Sequence, residues 1–223
     1  MDDETIKKAE NFGIIEGISE LILTTKNENG DKISANAAPF GIIQKNSKLF
    51  LRLFKGSKTY ENLKREEYLA ANITHDSVLY AESTFYDLDE HRFEYQIREN
   101  KRDGKCETAD LHAAEKIPVL KEADRIVLFK CLNQKEMEGI LMIEVEPIEF
   151  IIQNSEKDGF IFNRGFNAVI EACIHLTRYE LTKDRKTVDE IERLQEIVLK
   201  CGRQRDKEAF EIITKRLYEQ IKE

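Results

Sequence analysis

Paired cysteines are missing from this sequence. The four cysteines stand at 106, 131, 173 and 201, and no two form a C-x-x-C unit, so zinc-ribbon spacing is absent. Cys106, His91 and His112 are ligand-type residues, but three scattered side chains on a polar stretch lack the spacing of a site, and no metal is expected. Basic residues are not in excess. The chain carries 35 Lys and Arg against 43 Asp and Glu, a net charge of −8. That balance argues against nucleic acid, whose affinity comes mainly from neutralised phosphates, and against an anionic membrane surface. No apolar run approaches membrane-spanning length, and Met1-Asp2-Asp3-Glu4 has neither the basic nor the apolar region of a secretory signal. A cytoplasmic location with reduced thiols is the expectation. Neither a Walker A loop nor a G-x-G-x-x-G fingerprint occurs, and there is no internal repeat.

What is present is a chain of 223 residues, 41 % hydrophobic and 35 % charged, enough for a substantial core under a highly charged surface. Against the acidic background one stretch stands out, Leu51-Arg52-Leu53-Phe54-Lys55-Gly56-Ser57-Lys58-Thr59-Tyr60-Glu61-Asn62-Leu63. It begins with the aromatic and branched content of a strand. Gly56 permits a turn, and Ser57 or Thr59 can cap the helix that follows. Exposed amides, two hydroxyls and the positive charge of Arg52, Lys55 and Lys58 suit a phosphate. The alternative is an ordinary strand-to-helix connection with solvated lysines.

In chain order, residues 1–12 read as frayed or a short helix, and 20–25 as a strand. Asn27-Glu28-Asn29-Gly30 signals a hairpin turn, and the return strand covers 33–43. The small residues in its middle let something flat lie against the backbone, and Pro39 marks an edge, a bulge or a break. After a turn at Asn46-Ser47 come a strand over 49–55, a helix over 58–66 and a strand over 68–74. Residues 82–118 read as a polar insertion with one strand near 92–98. Ile126–Phe129 is expected to pair with Ile140–Glu146. This order suggests a small closed barrel. Beyond residue 154 the apolar period lengthens to that of helices. Phe166, Val169, Ile170, Cys173 and Thr177 mark one face of the first. Thr187–Glu190 is a capping box opening the second, with Val188, Ile191, Leu194 and Val198 inward, and Gly202 ends it. Asp206 can cap the third, with Phe210, Ile213, Leu217 and Ile221 inward. Residues 1–154 and 155–223 are thus the expected domains.

The order of elements resembles the FMN-binding split barrel of pyridoxamine phosphate oxidases and flavin reductase-like proteins. More closely, it is similar to a largely archaeal family of split-barrel flavoproteins with a helical C-terminal domain. The residues that carry the likeness are Leu23-Thr24-Thr25, Asn36-Ala37-Ala38-Pro39-Phe40-Gly41, the Leu51–Leu63 stretch, Ala71-Asn72-Ile73-Thr74, Phe162-Asn163-Arg164-Gly165-Phe166, Ile170-Glu171-Ala172 and Thr177-Arg178. The resemblance implies an α+β fold, an FMN-binding split β-barrel followed by a small helical domain, with FMN near the interface of a homodimer. Carried over by position, Arg52, Ser57, Lys58 and Thr59 hold the phosphate. Asn36, Ala37, Ala38 and Pro39 line the ring, with Leu53, Phe54 and Lys55 beside it. Asn72 and Thr74 reach the ring edge or ribityl chain, and Asn62 supports the turn. Read from position alone, Asn36 and Asn72 can equally cap strand ends, and Ala37-Ala38 can equally serve tight sheet packing. Arg164 either leans over the flavin site or joins Glu171 and Arg178 on a solvated helix face, and His175 reads as structural.

The function expected from this is an FMN-dependent oxidoreductase or electron-transfer protein acting on a small molecule. The alternatives are a non-catalytic flavin carrier, sensor or interaction module, and a structural dimer without flavin. His75-Asp76 is the one proton-transfer pair in reach of the proposed ring-edge strand.

Overall fold

The computed structural model describes residues 2–29, 32–98, 115–155 and 161–222. Helix α1 (Asp3–Asn11) is capped by Asp2, whose carboxylate accepts from Thr5 N at 2.7 Å. Its buried face, Ile6 and Ala9, joins the barrel core. Strands β1 (Gly17–Asn29), β2 (Lys32–Lys45) and β3 (Lys48–Phe54) follow, then helix α2 (Lys58–Leu63) and strand β4 (Tyr68–Ile73). Helix α3 (Ser77–Phe85), strands β5 (Phe93–Arg98) and β6 (Glu115–Leu120), and the long strands β7 (Arg125–Met137) and β8 (Ile140–Ile152) complete the sheet region. Helices α4 (Arg164–Thr182), α5 (Arg185–Cys201) and α6 (Gln204–Lys222) end the chain.

Six strands close an antiparallel barrel in the order β1-β2-β3-β8-β7-β4, with β1 pairing to β4. Strict alternation fills it. In β3, Leu49, Leu51 and Leu53 point inward and are fully buried, while Arg52 and Phe54 point out. The barrel is split on one side. Strands β2 and β3 pair only at Ile43↔Phe50, Gln44↔Leu49 and Lys45↔Lys48. The rest of β2 pairs with β1 alone, and the rest of β3 with β8 alone. Pro39 sits on the edge so formed, the position that a residue without an amide tolerates.

Several expectations are corrected. The stretch over 82–118 is part of a second layer: its described residues Phe93 and Ile117, with Val119 and Leu120 that follow it, are buried in one cluster with Ile22, Ile126 and Leu128 from the barrel wall. The strand over 68–74 gives way to helix α3, which Asp76 caps. Strand β7 runs on through Lys130–Met137, so the Ile126–Phe129 segment pairs with residues around Pro147–Ile151, and Ile140 pairs with Met137. The extension was missed because its residues from Leu132 onward are all exposed, and Asn133–Glu136 are polar on both faces. Pro147 is accommodated where the register shifts, beside Leu128 and Phe129. The end of the expected hairpin turn at Gly30 lies outside the described residues.

The helical region packs by small residues. Gly165, Ala168, Ala172, Leu176 and Tyr179 form the inner face of α4, while Phe166, Ile170 and Cys173 are exposed. Helix α5 starts before the expected capping box, because Asp184 accepts from Lys186 N at 3.0 Å and nucleates the first turn. It buries Ile191 and Val198, as its period implies. Asp206 lies within the first turn of α6 and reaches back to Arg203 N at 2.8 Å, the second half of a capping box; Gln220 rather than Ile221 is buried near the far end.

One junction joins this bundle to the barrel. Asn163 caps α4 by accepting from Phe166 N at 2.9 Å, and its amide donates to Ile18 O at 3.0 Å and Cys201 O at 3.2 Å. Gly165 lets α4 cross directly over the α5–α6 turn, since a Cβ there would sit 2.2 Å from Gly202 Cα.

Candidate functional site

Gly56 takes φ +94°, turning the chain from β3 into α2. Ser57 caps that helix, accepting from Tyr60 N at 3.1 Å. This turn places Ser57, Lys58 and Thr59 beside Asn36, Ala37 and Ala38 of β2, around a cavity of about 340 Å³ whose far wall is Ser83–Asp87. The buried Asn36 amide donates to Thr59 Oγ1 at 3.1 Å, tying the two sides together. Lys58 Nζ meets the Asp87 carboxylate at 2.5 and 2.6 Å, both side chains largely exposed. Asn62 ties α2 to β1, donating to Thr25 Oγ1 at 2.9 Å and Asn27 Oδ1 at 2.7 Å.

A second cavity, of about 620 Å³, opens at the split, between the barrel and the α4–α6 bundle. Pro39, Phe40 and Gly41 of β2, Arg52 and Phe54 of β3, and Arg164 of α4 line it. Consecutive residues of β2 thus face first one cavity and then the other. Arg52 lies over the Phe54 ring at 5.3 Å. Glu20 is the half-buried acid of this cavity, 3.9 Å from Arg164 Nη1. Burial pushes its carboxyl above the ordinary 4.5, and Arg164 and Lys200 pull the other way. The Tyr80 hydroxyl donates to Glu20 O at 3.0 Å, and burial raises that phenol.

The residues expected to form one site therefore divide. Asn36, Ala37, Ala38, Ser57, Lys58 and Thr59 share the smaller cavity, and Pro39, Arg52, Phe54 and Arg164 share the larger. Leu53 lies fully buried in the barrel interior, and Lys55 is exposed past the end of β3; neither lines either of these two cavities. Asn72 and Thr74 also line neither. Asn72 is fully buried, donates to Ile22 O at 3.0 Å and Thr24 Oγ1 at 2.9 Å, and accepts from Leu120 N at 2.8 Å. Its role is to fasten β6 to the barrel wall. Thr74 accepts from Asp76 N at 3.2 Å. His75 and Asp76 are not a pair: Asp76 caps α3, while His75 Nδ1 faces Asp124 at 3.5 Å. His91 is exposed, Cys106 and His112 lie outside the described residues, and no cluster of metal-ligating side chains occurs among those described. No helix there is long and apolar enough to cross a membrane.

Glu20 and Lys200 were missed. Glu20 is one carboxylate in an alternating strand, and only its pairing opposite Gly41 hints that the facing position is kept open. A Cβ on Gly41 would meet Ile18 Cγ2 at 2.4 Å.

Comparisons with known proteins agree with this architecture. A family model described as protein of unknown function (DUF447), N-terminal domain, matches residues 19–154, and one described as protein of unknown function (DUF447) matches residues 163–215. The FMN-bound protein MM1853 from Methanosarcina mazei is 39 % identical, and its crystal structure aligns with a TM-score of 0.54 over 93 % of this chain and 99 % of that one. The uncharacterized protein MJ1453 of Methanocaldococcus jannaschii is 25 % identical over 215 residues, 90 % of this chain and 98 % of the relative.

Proposed function

The chain belongs to the DUF447 family, and from that premise we propose that it is an FMN-binding flavoprotein, an oxidoreductase or electron-transfer protein acting on a small molecule. The observation that carries the reading is the convergence of Ser57, Lys58 and Thr59 with Asn36–Ala38 on one cavity. Two hydroxyls and an ammonium on three successive residues fit a phosphate monoester, which needs charge-assisted donors. Ala37 and Ala38 leave the β2 wall low enough for a flat group to lie along it. The relative that is 39 % identical carries FMN.

In this reading Ser57 and Thr59 donate to the phosphate, and Lys58 exchanges the Asp87 carboxylate for it. Asn36 holds Thr59 in place. Bound FMN supplies the electron or hydride chemistry, while the chain orients it and shields it from water. Beyond Ala38, Pro39 and Phe40 lead a ligand lying along β2 toward the larger cavity. A homodimer belongs to the same proposal. Phe54 at the rim of one cavity, and Phe85 and Tyr86 at the other, are 58 %, 78 % and 72 % exposed, the surface a second copy would cover.

A carrier or sensor without turnover is the second reading. Its support is that the smaller cavity offers only Lys58 and Asp87, already paired, as charged groups.

Binding of FMN against riboflavin tests the assignment. FMN should bind more tightly by one to two orders of magnitude, since a hydrogen bond to a charged group is worth about 1.5–3 kcal/mol. Lys58→Ala should remove most of that difference. Equal affinity for the two flavins in the unaltered protein would refute the phosphate site. Reduction of the bound flavin by a nicotinamide or deazaflavin donor separates the oxidoreductase from the carrier.

A further inference from the structure

The larger cavity carries a charge surplus that the protein leaves unneutralised. Lys45 and Arg52 line it from the barrel, and Arg164, Lys200 and Lys207 from the helices. Glu16 and Glu20 are the only carboxylates in its lining. Five cations against two carboxylates leave a local excess of three positive charges, in a chain whose net charge is −8. Among the described residues Lys45, Arg52, Lys200 and Lys207 stand in no direct ion pair, and Arg164 has only the loose contact to Glu20 at 3.9 Å. A cleft of one sign with low-dielectric walls concentrates ligands of the other. The walls between these cations are flat and apolar: Pro39, Phe40, Ile43 and Phe54. Such surfaces take the face or edge of a ring.

We propose that this cavity binds a small planar anion, the reaction partner of a flavin lying along β2. Its ring rests against Pro39, Phe40 and Phe54, and its carboxylate or phosphate against Arg164 and Lys200. As an anion site the cavity stands on its own lining; as the site of the flavin's partner it rests on the function proposed above. The inference also gives the helical domain a role. Asn163 fixes the start of α4 to the barrel, and Gly165 lets the α5–α6 turn lie against it, which brings Lys200 and Lys207 to the same opening. Glu20 is the internal counter-ion. Its contact with Arg164 Nη1 is loose, at 3.9 Å, which leaves the guanidinium open to an arriving anion.

The test is calorimetric titration of the full-length protein, as purified and after FMN loading, with 1-naphthoate and with its neutral isostere 1-naphthamide. Flavin content is read separately from absorbance. Naphthoate should bind saturably and weaken with salt, and naphthamide should bind at least about tenfold less tightly, the value of one charge-assisted contact. Arg164→Gln with Lys200→Gln should weaken naphthoate by about tenfold or more and leave FMN content unchanged. Lys200→Glu alone, on an exposed side chain, should do the same if the double variant folds poorly. Equal binding of the two probes, or no binding to the FMN-loaded protein, overturns the proposal. So does loss of FMN from either variant, which would assign these cations to the cofactor. A protein that takes up no flavin yet binds naphthoate through residues 164 and 200 keeps the anion site and refutes the flavin reading alone.

Discussion

Replacing Asn163 should uncouple the helices from the barrel. Its side chain is 5 % exposed and makes three hydrogen bonds, one as the cap of α4 and two as the donor to Ile18 O and Cys201 O. Loss of the cap costs about 1 kcal/mol. Each donated bond adds about 0.5–1.5 kcal/mol, and more where a carbonyl is left buried without a donor. Asn163→Ala should therefore lose about 2–4 kcal/mol, a large part of the roughly 5–15 kcal/mol that holds a native domain. Asn163→Asp separates the two roles. A carboxylate keeps the cap acceptor but turns a second oxygen toward two carbonyls, so it should be at least as damaging as alanine. Urea unfolding followed by tyrosine emission (the chain has seven tyrosines and no tryptophan) and by far-UV circular dichroism measures both. An Asn163→Asp variant as stable as the parent would show that the residue is only a helix cap and that the stapling argument is wrong.

Two further changes follow from the same geometry. Gly165→Ala places a Cβ 2.2 Å from Gly202 Cα, a backbone atom that has to move, and should cost about 1–3 kcal/mol or more in urea unfolding; an unchanged midpoint would mean that the crossing is looser than described. Glu20 sets a pH dependence. The folded chain holds its proton to higher pH than the unfolded chain, whose carboxyl titrates near 4.5, so from that value up through the folded one deprotonation favours unfolding and stability falls as pH rises. Glu20→Gln should flatten that slope in unfolding free energies measured from pH 4.5 toward neutrality, and a slope left intact would place its origin elsewhere.

The barrel was legible wherever a strand has one wet face and one dry face. Leu49, Leu51 and Leu53 announce β3 by alternation, and the Gly56-Ser57 turn announces its own geometry, a positive φ followed by a hydroxyl cap. The helical face of α4 was misread because apolar size is a poor guide where helices cross closely. Gly165, Ala168 and Ala172 share the inner face with Leu176 and Tyr179, and Phe166 lies off it. The extension of β7 carries exposed polar residues on both faces, so it has no period to detect. Site residues divide on the same principle. Ser57, Lys58 and Thr59 are adjacent in sequence and stay together, whereas Arg52, Glu20, Arg164 and Lys200 meet only through the split and the junction at Asn163. Asn72 shows the opposite error, an amide that suggested a ligand contact but is consumed by Ile22, Thr24 and Leu120.

The central claim is that the Ser57–Thr59 turn and the β2 wall hold FMN. An absorbance spectrum of the purified protein, with the released chromophore identified by mass, tests it most directly. The account predicts a flavin spectrum from one FMN per chain that is lost when Ser57 and Lys58 are both replaced by alanine. A colourless protein that takes up no added FMN would contradict it, leaving the turn as a connection between a strand and a helix.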